Sequence, residues 1–205
     1  MPTKEVMTFD QQLGLFKKPK PPLILERNQH GHILLSITGI DLLGAAEIER
    51  LEASMYVLCN PCKWSLLSTG ADSYDKNHRL VDGEVYQIAL MPSEEIPCES
   101  DRTTENLRKR GMEHYGYGKP LAGIMPRVRE LLSDDQITDM CAYAIIALHD
   151  PISGMGLDDP RVLCIDVDED EDDEFLFGYP CSPEKYWGGP REALFVFPVL
   201  ASGSS

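Results

Sequence analysis

Residues 133–151 constrain the fold of this chain most tightly. Ser133-x-x-Gln136 has the form of a capping box, in which a hydroxyl and a side-chain amide satisfy backbone N–H groups at a helix start. Residues 140–148 follow as nine positions without a charge, and Pro151 cannot continue a helix. Ile137, Met140, Cys141, Ala144, Ile145 and Leu148 recur at helical spacing, and Ala142, Tyr143, Ile146 and Ala147 between them are also largely apolar. The pattern predicts a helix over 134–148, buried on most sides. Cys141 and Cys164 sit in such apolar patterns and read as core thiols. A run this short cannot cross a bilayer, which needs about 20 apolar residues.

Around this segment, short apolar runs alternate with turn signals. Strands are predicted over 23–26 and 32–38, joined by the turn tetrapeptide Asn28-Gln29-His30-Gly31. Further strands are predicted over 55–59, 64–69 and 85–91, with 71–82 as loop, and a last strand over 194–200. Leu43, Ile48 and Leu51 mark a helix over 41–53. Another helix starts at Ser100 or Asp101 and runs to Tyr115, where Gly116 ends it; Pro126 suits the first turn of a short one reaching Leu132. Runs 162–167 and 174–179 read as a hairpin. Clustered strands with helices grouped between them imply α+β: a mixed, mainly antiparallel sheet with the 134–148 helix packed across it. The domain reading is a polar Pro/Lys-rich arm at 1–21, one globular domain at 22–200 and a disordered tail at 201–205.

Charge is unevenly placed. The 205 residues carry a net −15, and eight of the nine residues 166–174 are carboxylates. Residues 102–129 carry seven Lys/Arg against Glu105 and Glu113, a local +5. A field this negative disfavours double-stranded nucleic acid and anionic membrane. Residues 1–20 lack the apolar core of a signal peptide, and six cysteines without an export signal read as reduced thiols, so a cytoplasmic location is expected.

The candidate chemistry is sparse. Asp166-x-Asp168-x-Asp170 opens like a calcium loop but has Glu171 where the turn glycine belongs and Phe177 where a bidentate acid belongs. Asp168, Glu169, Asp170, Asp172 and Asp173 read instead as a solvated hairpin tip or as a surface for a basic protein partner. Opposed to the basic segment, they would form an internal clamp. Cys59-Asn60-Pro61-Cys62 is a C-x-x-C, half a zinc site or a redox pair. Against that stands the predicted 64–69 strand, because a thioredoxin-like motif belongs at a strand-to-helix junction. His149 falls at a predicted helix C-terminus, where the dipole favours its cation. Arg108, Lys109, Arg110, Tyr115, Tyr117, Lys119, Arg127 and Arg129 form the candidate surface for a nucleotide or other phosphorylated ligand, with the tyrosines stacking on a base. The competing reading pairs these cations with the chain's own acids. Trp64-Ser65-Leu66-Leu67-Ser68-Thr69 resembles, over four or five residues, the Ser-Thr-Ser strand of ADP-ribosyltransferases, departing at Gly70; Glu94 and Glu95 follow the next predicted strand. That likeness would imply a transferase. No complete catalytic motif and no cofactor site are legible, and nothing fixes the oligomeric state. The sequence therefore favours an acidic interaction or regulatory protein docking on a basic partner, with an enzyme at the 102–129 segment as the alternative.

Overall fold

The computed structural model describes residues 25–153, 159–167, 175–188 and 192–200. The predicted arm, tail and acidic hairpin tip lie outside them. Eight strands form one mixed sheet: β1 (Glu26–Arg27), β2 (Ile33–Thr38), β3 (Val57–Leu58), β4 (Val85–Pro92), β5 (Ala142–Ala147), β6 (Arg161–Asp166), β7 (Phe175–Pro180) and β8 (Glu192–Pro198). Their order is β1-β2-β4-β8-β5-β6-β7-β3, so the last described strand lies near the middle. Pairings are antiparallel except β5 with β8 and β3 with β7. The six described α-helices are α1 (Gly44–Ala53), α2 (Asn60–Leu66), α3 (Tyr74–Asn77), α4 (Thr104–Lys109), α5 (Ile124–Leu131) and α6 (Asp134–Asp139). α4 runs on into a π-helical turn, Arg110–His114. The α+β architecture matches the sequence reading. No described helix is long and apolar enough to cross a membrane.

The sheet is covered on both faces, and this corrects the reading of 134–148. Ser133 caps α6 through its capping box as predicted, but the helix ends at Asp139, and Cys141 takes a left-handed backbone (φ +60°). Residues 142–147 then form β5. Ile145 and Ala147 pack with Ile88, Leu163 and Val196 on one face, while Ala144, Ile146 and Leu148 pack with Met91, Cys164 and Phe195 on the other. A strand buried on both faces shows no period-two polarity, so its apolar run is indistinguishable from that of a buried helix. Cys141, at the exposed turn, is not a core residue, whereas Cys164 is.

Three other elements differ. The 71–82 loop contains α3. The helix before Gly116 begins only after Thr103, whose hydroxyl accepts the Asn106 N–H. The predicted 64–69 strand does not exist. Pro61 sits in the first turn of α2, where a missing N–H is harmless, and Trp64, Ser65 and Leu66 continue that helix.

Candidate functional site

Changing 64–69 from strand to helix alters the standing of Cys59 and Cys62. β3 pairs with β7 at the sheet edge, and the Cys59 N–H still donates to the Leu176 carbonyl at 3.2 Å. Cys59 then becomes the N-cap of α2, with extended backbone, and its Sγ accepts the Cys62 N–H at 3.4 Å. The strand-to-helix junction is therefore present. Gly178 on β7 eases it: a Cβ there would stand 3.1 Å from Cys62 N and the Pro61 carbonyl, a tight contact that glycine spares where the helix start lies on the strand.

The two thiols differ sharply. Cys59 is partly exposed, while Cys62 is fully buried. Burial pushes the Cys62 thiol well above its ordinary range, and the fields of Cys59 and Glu47 push it further, with Lys63 opposing. Cys164, buried on β6, is raised chiefly by burial and also by the fields of Asp166, Cys62 and Cys59. No group of three His, Cys, Asp or Glu side chains suited to a metal is found among the described residues. Cβ atoms three apart on a helical turn stand roughly 5–6 Å apart and those of a disulfide roughly 3.5–4.5 Å apart, so closing the bond takes a small backbone shift at the helix start. The pair has the placement for dithiol chemistry.

The basic segment is largely dispersed into the fold. Arg127 is bonded to buried Glu47 and to Glu130, and Arg50 joins the same two carboxylates. Arg129, with no exposed surface, bonds Asp134 and the Leu132 carbonyl, tying α5 to α6. Arg108 donates to the Leu148 and His149 carbonyls, and Lys119 pairs with Asp150. Arg110 pairs with Glu95 and lies over the Tyr115 ring. Lys109 is exposed and has no ion pair among the described residues. Pairing within the chain has thus absorbed most of the predicted ligand-binding cations.

Tyr117 is buried and cannot stack on a base. Its hydroxyl accepts from Asn28 Nδ2 and lies 2.6 Å from His32 Nδ1. His32 Nε2 stands 3.1 Å from Glu95 Oε1, and Glu95 Oε2 accepts from Tyr115 and Arg110. Hydrogen shared this way places the His32 proton on Nε2, facing the carboxylate, and leaves Nδ1 to accept from Tyr117. Burial lowers the His32 pKa. Burial alone would raise Glu95, but bonds from Tyr115, His32 and Arg110 hold it below its usual value, and burial with the Glu95 bond raises Tyr115. These bonds join the Asn28 turn, β2, the segment after β4 and residues 110–117, a lock between elements distant in sequence. The partners lie up to 89 residues apart in sequence; Tyr115, Tyr117 and Glu95 were marked singly, but nothing local joined them.

Other sequence candidates resolve as structural. Ser65 is buried and donates to the Pro61 carbonyl within α2, so the ADP-ribosyltransferase-like strand is absent; Glu95 belongs to the lock. His149 does not cap a helix. It follows β5 fully buried, linking the Asp150 carbonyl and the Leu163 N–H, and burial pushes it down to about 3. Asp168, Glu169, Asp170, Asp172 and Asp173, and with them the clamp and the partner-docking surface, lie outside the described residues. Comparisons with protein-family models, curated proteins and solved structures return no match for this chain.

Proposed function

We propose that this protein carries out thiol–disulfide exchange, with Cys59 as the attacking thiol and Cys62 as the resolving one. The observation that carries the reading is the accessibility gradient across one helical turn: a partly exposed cap thiol with a fully buried thiol behind it. Catalytic dithiols need this asymmetry, because the first sulfur must meet a substrate and the second must be shielded from it. In the first step the Cys59 thiolate attacks one sulfur of a substrate disulfide. A mixed disulfide forms, and the departing thiolate takes up a proton. In the second step Cys62, once deprotonated, attacks the Cys59 sulfur and releases the second substrate thiolate. The substrate gains two electrons and the dithiol loses two; a second dithiol reverses the cycle.

The test uses oxidised glutathione as substrate in a Cys98→Ser, Cys141→Ser background, which removes the two exposed thiols outside the motif. Mass spectrometry of the parent should show an internal disulfide without a lasting adduct. Cys62→Ser should trap one glutathione on Cys59, and Cys59→Ser should trap none. If Cys59 and Cys62 stay alkylatable across all glutathione redox ratios, the reading fails.

A further inference from the structure

The π-helical turn and the segment leading from β4 to α4 border a second site, an open surface cleft remote in sequence from the cysteines. A cleft of 590 Å³ is lined by Lys109, Arg110 and His114 from α4 and the turn, by Asn106, by the acids Glu95, Asp101 and Glu113, and by Ile96 and Pro97. This volume is in the range of small-molecule sites, roughly 300–1,000 Å³. π-helical turns are rare and recur at functional sites. This one seats Arg110, Glu113 and His114 along the same cleft, and it can do so because Gly111 lies directly on the Phe197 ring.

The lock behind the cleft fixes its wall before any ligand arrives. Glu95, one end of the Asn28–Tyr117–His32 chain, holds Arg110 in place and offsets its charge. Lys109 is then the cation left for a ligand, and it also borders an adjoining groove of 650 Å³. Two acids, Asp101 and Glu113, face the same space and are exposed, with no ion pair among the described residues. A polyanion would be repelled by them and by the net −15. A simple cation would be opposed by Lys109. The lining suits a molecule that carries both signs.

We infer that this cleft binds a small zwitterion, its phosphate or carboxylate held by Lys109 and its ammonium by Asp101 and Glu113. The inference stands independently of the cysteine chemistry. Isothermal titration at low salt separates its parts, with phosphoethanolamine and β-alanine as the phosphate and carboxylate probes and inorganic phosphate and ethanolamine as the single-charge controls. At least one zwitterion should bind about tenfold or more tightly than either control, and whichever binds identifies the anionic group. Lys109→Met is at an exposed position and should leave the melting curve unchanged while weakening that zwitterion about tenfold or more. Asp101→Asn with Glu113→Gln should abolish the preference for the zwitterion over inorganic phosphate. No binding of either zwitterion, equal binding of inorganic phosphate, or Lys109→Met binding like wild type would each overturn the assignment.

Discussion

Glu47 shows how a single residue can govern a buried network. Its carboxylate is almost inaccessible and accepts from both Arg50, at 2.5 Å, and Arg127, itself 6% exposed. Glu47→Gln removes the charge opposing Arg127 and leaves Glu130 as its remaining partner. Burial raises the Glu47 carboxyl to about 7, so it is only partly ionised at neutral pH, and the expected loss there is about 1 kcal/mol, that of a weakened hydrogen bond, read from urea unfolding midpoints. Gly178 is the second sensitive residue. Its alanine variant would press on the rigid backbone of Pro61 and Cys62 rather than on a flexible side chain. It should be destabilised by about 1–3 kcal/mol and should form the Cys59–Cys62 disulfide less readily, measured by alkylation of oxidised samples. At this scale the sequence revealed the cysteine spacing, because a C-x-x-C is local. It could not reveal Glu47 or the His32 lock, whose partners are brought together only by tertiary structure.

Elements were legible where a local signal decided them. The Asn28–Gly31 turn, the Ser133 capping box and the strand over 85–91 each rest on adjacent residues, and each is present. Two of the misread elements failed for opposite reasons. β5 lacks alternation because both its faces are buried, whereas 64–69 looked strand-like although Pro61 and the Cys59 cap had already begun a helix. The π-helical turn had no signal except Gly111, whose purpose emerges only against β8. A Cβ at Gly111 would sit 2.5 Å from the Phe197 ring. Gly111→Ala should therefore push the turn off the sheet, at a cost of about 1–3 kcal/mol. The loss should appear in thermal unfolding together with a changed near-ultraviolet signal from Tyr115 and Tyr117, which stack beside that contact.

The whole molecule should respond to acid through groups whose effects oppose one another. His78 and His149 face each other with ring centroids 4.8 Å apart, and burial lowers them from 6.5 to about 4 and about 3. The unfolded chain takes up these two protons near pH 6.5 and the folded chain does not, so their contribution is present above that pH and is lost as pH falls toward 4 and 3. His32, also lowered by burial, adds in the same direction. Glu47 acts oppositely: burial raises it from 4.5 to about 7 despite the pull of Arg50, with Glu130 adding to the rise. Its contribution is fully present below 4.5 and is lost as pH rises through about 7. Between pH 6 and 4.5, two histidine protons bound by the unfolded state outweigh the single Glu47 proton bound by the folded state. Stability should then fall by at least about 1.4 kcal/mol per unit of acidification, His32 adding to the slope, after a near plateau around pH 7. Removing the Glu47 proton unmasks the histidines. Glu47→Gln should show an acid slope about 1.4 kcal/mol per unit steeper than that of the parent, whereas His149→Gln should flatten the slope. Urea midpoints measured every half unit from pH 7.5 to 4.5 distinguish these outcomes, and parallel slopes in all three proteins would refute the assignment.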